Sequence, residues 1–529
     1  MEEVRDRDHL DRQLDEASEI GMTLSIWAAR QPDRPAVYDP SGRVLSFAEL
    51  NAGANRLVRF LRHNGVQAGD ALALICSNRA EFVIAVAATL RSGIRMTPVN
   101  WHLTADEIAY IVRDCDAKVV IGDARVGQVI KTAISTCPDV RVKIAVGGEI
   151  DGFVNFDHAL ALQDGSNISD PTLGNIMYYT SGTTGRPKGV LRASVRQTPA
   201  SFYKAKGYDP ETSVQLGAGP AYHGGPLGFD VRAAMNAGVP LIFLDKWDSE
   251  LVLRTISERR VTHMHLVPIM FQRLLALPAD VKAKYDVSHV RYIIHGAAPC
   301  SPEVKMAMIE WFGPVLTEYY AGSEGGAGFF ITSEEWLRKP GSVGKRPPEP
   351  PVRILDGDGN ELPVGESGMI YHKLQPGTEF RYHKDEQKTW ANRVGDFFTL
   401  GDIGYFDEDD YLFLTGRSAE TIISGGVNIY PQEIDNELVT HEAVADSATV
   451  GVPDAEWGEQ VRGVVKLKAG FEASEELSTD IIAYLRARLP SYKVPKTIDF
   501  VTDLPRSEAG KIQRDKVRAR YWEGRIRQI

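Results

Sequence analysis

The sequence predicts an α/β fold in which parallel sheets come first, a more antiparallel region follows, and a small separate domain ends the order. Three observations lead there. The first half alternates buried-strand and capped-helix signals; proline and glycine then become dense at 339–351 (KPGSVGKRPPEPP); and a further segment with its own strand and helix signals follows Gly416-Arg417. Strand, helix and strand at short spacing favour right-handed crossovers and parallel pairing.

Ser46-Phe47-Ala48-Glu49 has the form in which serine and glutamate reciprocally cap a helix start, and apolar periodicity runs from there to Leu61 with a stop at Asn64-Gly65. A helix over about 47–63 is expected. ALALIC at 71–76 is a short apolar run suited to a strand buried on both faces. Ser77 or Asn78 is expected to cap the next helix, which should end at Gly93. Thr104-Ala105-Asp106-Glu107 repeats the capping-box form before IAYIV, and KVVIGD from Lys118 reads as another buried strand. Past residue 340, segments such as VRILDGDGNELPVG resemble hairpins turning on Asp-Gly. After residue 416, IIAYLRARL at 481–489 supplies a helix for the last domain.

Length and composition set the outer bounds. At roughly 100 to 200 residues per domain, 529 residues make about three to five domain-sized units. Hydrophobic residues at 43% and charged residues at 25% exclude wholesale disorder and fibrous repeats. Sixty basic against 71 acidic side chains give a net charge of -11, which repels a nucleic-acid backbone. Cys76, Cys115, Cys137 and Cys300 show no paired spacing and fit reduced thiols. The longest strongly apolar stretch, Phe82 to Leu90, is half of what a membrane span needs and is bracketed by Glu81 and Arg91. The opening MEEVRDRDHLD is charged, with no secretory signal in view, so a cytoplasmic location is expected. A homo-oligomer stays open.

The strongest local signal is YYTSGTTGRPKG at 178–189. Thr180, Ser181, Thr183 and Thr184 stand among Gly182, Gly185 and Gly189, and Lys188 adds positive charge. Glycines let backbone amides turn inward and hydroxyls add donors, a combination that suits a nucleotide polyphosphate. The Walker A pattern fails, because Pro187 stands where its second glycine belongs. His263 and His265 share one strand face, but two histidines without a third ligand do not close a metal site.

YYTSGTTGRPKG resembles the signature loop of the adenylate-forming superfamily, which includes acyl-CoA synthetases, adenylation domains of peptide synthetases and firefly luciferase. Other segments resemble further motifs of that family in order along nearly the whole chain: AYHGG at 221–225, HGAAP at 295–299, YYAGSEG at 319–325, LGD at 400–402, GRSAETIISGGVNIYPQEID at 416–435 and PRSEAGKIQR at 505–514. The resemblance implies a large N-terminal domain, 1–416, of two parallel α/β subdomains plus an antiparallel β-barrel-like subdomain, and a small mobile α+β domain, 417–529. It also implies a two-step ligase. A carboxylate attacks the α-phosphate of Mg-ATP to give an acyl-adenylate and pyrophosphate; the small domain then rotates and the thiol of coenzyme A takes the acyl group.

Carried residue by residue, the resemblance makes Lys511 the group bridging carboxylate and α-phosphate, and Glu324 the magnesium ligand. Thr180, Ser181, Gly182, Thr183, Thr184 and Lys188 hold the β- and γ-phosphates; Gly296, Ala297, Ala298, Tyr320, Ala321 and Ser323 surround adenine and its neighbouring phosphate. Asp402 and Arg417 bind ribose hydroxyls, and Ser424, Gly425 and Gly426 form the thioester-step segment. His223 borders the acyl pocket, with Gly224, Gly225, Val267 and Ala321 beside it. Two departures stand out: Ala419 occupies the position two after Arg417 where the family commonly has the Asp or Lys proposed as hinge, and Ala321 replaces the family's glycine.

The pocket segment offers no carboxylate for a substrate ammonium, so an acid without an α-amino group is expected. Gly224 and Gly225 are read as leaving space beside His223, and Leu227, Phe229, Val267 and Ala298 are apolar. A hydrophobic medium-chain, long-chain or bulky alicyclic, steroid-like acid fits that reading. An aryl acid, or transfer to a carrier protein in place of coenzyme A, is the alternative.

Overall fold

The computed structural model describes residues 2–180, 187–193, 198–377, 379–424, 427–454, 457–507 and 510–523. Two parallel α/β layers form the first part. One is a six-stranded, all-parallel sheet ordered Val154–Asn155, Val142–Val146, Ala117–Asp123, Ala71–Ile75, Arg95–Val99 and Asn175–Ile176. The other is eight-stranded: Gly325–Thr332, Leu316–Gly322, Tyr292–His295, His263–Leu266, Gln215–Gly217, Leu241–Phe243, Pro35–Tyr38 and Val44–Ser46. Its middle is parallel, and an antiparallel strand closes each edge.

Helices Phe47–His63 and Ala80–Ser92 belong to the core that joins the layers, which also holds Leu72 and Leu74 of the first sheet and Leu241 and Phe243 of the second. All thirteen residues of Ala80–Ser92 are buried, which explains why its sequence is apolar all round. The charges bracketing the stretch are buried too. Arg91 donates to Asn51 Oδ1 at 2.8 Å and Asn55 Oδ1 at 2.6 Å, and burial lowers its guanidinium to about 10. Glu81 accepts from Arg43 and Arg79, each at 3.0 Å.

Both N-terminal capping boxes form, at Ser46/Glu49 and Thr104/Glu107. The expected cap at Ser77 or Asn78 does not. The N-cap is Arg79, and Asp39 Oδ2 accepts from the Ala80 amide at 2.8 Å instead. Ser77 is drawn away to Asp123 at 2.6 Å; Asn78 donates to the carbonyls of Gly219 and Leu244 and accepts from the Ala221 amide, stitching the two layers together. Long-range partners thus outcompete the local cap.

The antiparallel region lies where the sequence places it. Val352–Leu355, Gly368–Lys373, Phe397–Phe406, Tyr411–Arg417 and Ser342–Lys345 form an antiparallel sheet, and Leu355 bridges Glu361 around the Asp-Gly turn. That sheet runs through Arg417, and the next begins at Ile422. The last sheet orders Val427–Ile429, Ile422–Ser424, Gly458–Leu467 and Val444–Asp454, with Thr497–Val501 parallel to Gly458–Leu467. Helices Pro431–Leu438 and Glu475–Arg486 complete a core of their own around Ile434, Leu438, Ile481 and Leu485.

Among the described residues no helix is long and apolar enough to cross a membrane. Cys76, Cys115 and Cys137 are buried, and burial pushes the Cys115 thiol up to about 12, so its nucleophilic form is suppressed.

Candidate functional site

The carboxyl ends of the second sheet's parallel strands, the usual ligand edge of such sheets, converge with the antiparallel region and the last domain. Residues 175–180 divide between two sheets. Asn175–Ile176 ends the first sheet, while Tyr178–Thr180 pairs antiparallel with Lys188–Arg192, placing Thr180 opposite Lys188. Lys188 therefore begins a strand, unlike the lysine of a P-loop, which opens a helix. Ser181, Gly182, Thr183 and Thr184 lie outside the described residues, as do Gly425 and Gly426.

Lys188 is ion-paired with Asp385, whose carboxyl it holds below the usual range and which caps helix Glu386–Ala391. Ser323 and Glu324 form the tip of the hairpin between Leu316–Gly322 and Gly325–Thr332, where Gly322 pairs with Gly325. Arg192 anchors that tip by donating to the carbonyls of Ser323 at 3.0 Å and Gly322 at 3.1 Å. Tyr382 donates to Glu324 Oε1 at 2.9 Å. Lys388 is also close: burial and the neighbouring Lys188 lower its ammonium, while Glu324 pulls the other way. Glu324 and Asp385 are two carboxylates among Lys188, Lys388 and Arg192, and one or two carboxylates combined with substrate phosphates is a common way to hold magnesium. Among the described residues no group of three or more His, Cys, Asp or Glu could hold a metal alone.

Gly296 and Ala297 follow strand Tyr292–His295. A Cβ at Gly296 would lie 2.5 Å from the Tyr319 carbonyl oxygen, so only glycine fits, and Ala297 takes a left-handed φ of +65°. Ala298 is half-buried beside them. Tyr320 donates to Asp402 Oδ2 at 2.8 Å, its ring packed near Phe329 and His372. Asp402 also accepts from Arg417 Nε at 2.8 Å, the two facing each other across paired strands. Ala321 and Ala419 are exposed, the latter in the single turn Ser418–Glu420. Ser424 pairs with Val427 and Gly458.

Lys511 belongs to the 505–513 loop, closed by the Gln513 amide on the Pro505 carbonyl at 2.8 Å. Gly510, at φ +79°, sits so close to helix Pro268–Leu275 that a Cβ would lie 2.2 Å from Ile269 Cγ2. Val267 flanks the same contact. The loop is thereby seated on the N-terminal body with Lys511 beside Arg417, Glu420, Asp402 and Arg514. Burial first, and Arg417 second, lower its ammonium to about 8, against the pull of Glu420 and Asp402. Arg514 is itself fixed by Glu420 at 3.0 Å and Asp435 at 2.6 Å. Lys511, Asp402, Arg417 and Tyr320 are thus gathered from distant parts of the chain.

The acyl segment departs from the expectation. His223 immediately precedes the short turn Gly224–Pro226, and Gly224 faces the Tyr178 ring at ordinary contact, 3.7 Å from a built Cβ. Gly225 leaves no space: a Cβ there would meet His265 Cε1 at 2.8 Å, His265 Nε2 at 2.9 Å and Tyr319 Oη at 3.0 Å. Neither histidine of the 263–265 pair is available as a metal ligand. His263 contacts Thr262 and the Lys206 carbonyl and stacks on Tyr208, while His265 Nε2 meets Tyr319 Oη at 3.2 Å. Arg192, Tyr382, Asp385, Lys388, Glu420 and Arg514 escaped the sequence reading. Only Glu420 and Arg514 lay inside quoted motifs that could have pointed to them.

Comparison with known proteins agrees along the chain. The family pattern described as AMP-binding enzyme matches residues 24–378, and that of the AMP-binding enzyme C-terminal domain matches 433–511. An indoleacetate–CoA ligase of Aromatoleum aromaticum is 30% identical over 510 residues, covering 94% of this chain and 98% of its own. The long-chain-fatty-acid–CoA ligase FadD13 of Mycobacterium tuberculosis is 30% identical over 512 residues, covering 95% and 98%. The crystal structure of ATP-bound MatB from Rhodopseudomonas palustris superposes with a TM-score of 0.79 at 29% identity, covering 92% of this chain and 96% of that one.

Proposed function

Since the chain belongs to the AMP-binding enzyme family, we propose that it is an ATP-dependent carboxylic acid–CoA ligase that divides near residue 416 into a large body and a small domain bearing Lys511. The observation that carries this reading is the seating of the Lys511 loop on the body, beside Asp402 and Arg417. The first half-reaction brings two anions together, the carboxylate and the α-phosphate, and negative charge spreads over phosphoryl oxygens as the bond forms. Lys511 places a cation at that junction. Lys188 offsets charge on the outgoing pyrophosphate, and the hydroxyls of Thr180, Ser181, Thr183 and Thr184 donate hydrogen bonds to it.

Glu324, oriented by the Tyr382 hydroxyl, is the residue that would hold Mg2+; bound there, the ion supplies charge neutralisation of the triphosphate. Asp402 accepts from ribose hydroxyls, and its bonds to Tyr320 and Arg417 fix its orientation. Gly296, Ala297 and Ala298 lie along the adenine. Coenzyme A then attacks the acyl carbon from the side of Ser424, Gly425 and Gly426, after the small domain turns about the segment containing Ala419; a hinge needs permissive backbone torsions rather than a side-chain charge.

The substrate is a hydrophobic acid. The aryl alternative gains from one observation: where the sequence leaves room at Gly225 for a long channel, His265 and Tyr319 close it with ring edges. A panel of carboxylic acids assayed for pyrophosphate release, with and without coenzyme A, tests the reading. It requires release that depends on both acid and ATP, and thioester only with the coenzyme. Adenylate without thioester would favour a carrier-protein acceptor.

A further inference from the structure

Beside the acyl segment lies a group of rings with a polar edge. Residues Leu227–Arg232 form one π-helical turn, a feature frequent at functional sites. From it, half-buried Phe229 stacks on His265 at 5.7 Å and 21°, and lies tilted at 49° against Tyr319 at 4.7 Å. The next residue, Asp230, turns into the core and accepts from the His265 amide at 3.0 Å and Gln215 Nε2 at 2.7 Å. Gln215 is held in turn by the Tyr208 hydroxyl at 2.7 Å. His265 is therefore fixed from its backbone by Asp230 and at its ring by Phe229 and Tyr319.

This much buried polar structure is costly unless its hydrogen bonds are completed. Burial lowers His265 to about 3, so its ring is neutral near pH 7, one nitrogen donating and the other accepting. Tyr319 and His265 share one long contact of 3.2 Å. A phenol has one donor and two acceptor sites, so capacity remains after that bond. Asp230 Oδ2, also buried, has no hydrogen-bond partner among the described residues. A saturated chain lying against Tyr319 and His265 would cover their polar atoms and match none of them. A flat ring stacks on Phe229 and Tyr319, and a polar substituent completes the hydrogen bonding.

We infer that the enzyme's acid is a ring-bearing carboxylic acid with a hydrogen-bonding group, a hydroxyl or ring N–H, at the end remote from its carboxylate, and that Tyr319 and His265 read that group. The inference rests on the ligase reading above and narrows its substrate. The same site therefore rejects an isosteric acid that carries a methyl in place of the polar group, since a polar pair would be left uncompleted.

The test is ATP–pyrophosphate exchange by the full chain and by Tyr319→Phe, using 4-hydroxyphenylacetate against 4-methylphenylacetate, 6-hydroxy-2-naphthoate against 6-methyl-2-naphthoate, and decanoate. In the wild type, kcat/KM for the better hydroxy acid exceeds that of its methyl partner by about tenfold or more, as one hydrogen bond provides, and exceeds that of decanoate. In Tyr319→Phe, the ratio within the pair falls toward one. Decanoate or the methyl acids serving the wild type as well as the hydroxy acids would overturn the inference while leaving the ligase reading intact, as would an undiminished ratio in Tyr319→Phe. No exchange with any acid would instead contradict the ligase reading itself. The wild-type ratios decide the matter even if the variant folds poorly.

Discussion

Lys305→Met gives the sharpest stability prediction. Lys305 Nζ and Glu318 Oε2 are 2.6 Å apart, with side chains 0% and 9% exposed, and the ammonium lies 4.8 Å from the centroid of the buried Trp336 ring. The pair ties helix Pro302–Phe312, which follows the Gly296–Ala298 segment, to the strand that carries Tyr320. Methionine fills much the same volume but abandons Glu318. Breaking a buried pair by removing one partner costs about 3–5 kcal/mol, because the remaining charge has no compensation. The urea unfolding midpoint falls by that cost divided by the slope of the transition, a slope that grows with the surface exposed. Burial already raises Glu318 above the usual carboxylate range, and Lys305 opposes that shift. Without the lysine the carboxyl rises further, so the folded variant favours the protonated acid. Stability is then lost as pH rises through that raised value, and the penalty is larger at pH 8 than at pH 5. Adding Glu318→Gln removes the orphan charge and recovers most of the midpoint. Urea unfolding followed by tryptophan fluorescence at both pH values measures this. An unchanged midpoint at pH 8, or a double variant no better than the single one, would refute the reasoning.

The free enzyme's kcat/KM should show an alkaline limb near pH 8, because burial and Arg417 lower Lys511 to about 8 and its cation is lost above that value. Asp402→Asn removes a charge that opposes this shift, so the limb moves to lower pH; loss of its charge-assisted bonds, about 1.5–3 kcal/mol, raises the KM for ATP by roughly ten- to a hundredfold. A pH–rate profile of both proteins checks the pair. Gly225→Ala places a methyl 2.8 Å from the His265 ring and destabilises the fold by the cost of overpacking, about 1–3 kcal/mol, lowering the unfolding midpoint, whereas Gly224→Ala meets only ordinary contacts and is tolerated. Thermal unfolding of the two variants separates them.

Local chemistry made much of the fold legible. The capping boxes at Ser46 and Thr104 and the apolar runs at 71–76 and 118–123 are settled by neighbouring residues, and they form where expected. The cap expected at Ser77 or Asn78 failed because Asp123, Gly219 and Leu244 compete for those side chains, and none of these is near in sequence. The same limit governs the site. Lys511, Asp402 and Arg417 could be named from short motifs, but the aspartate and tyrosine that orient Lys188 and Glu324, namely Asp385 and Tyr382, sit in segments without any pattern. The supposed space at Gly225 is a matter of packing: a glycine reads equally as room for a ligand or as room for a neighbour, and here His265 takes it.

The central claim is that Lys511 serves adenylate formation while the thioester step proceeds without it. Rapid-mix assays of Lys511→Ala, following pyrophosphate release from acid and ATP and, separately, thioester formation from supplied acyl-adenylate and coenzyme A, test it most directly. The expected result is a fall of roughly 10²-fold or more in the first step, with the second far less affected. Equal losses in both steps, or an unimpaired first step, would contradict it.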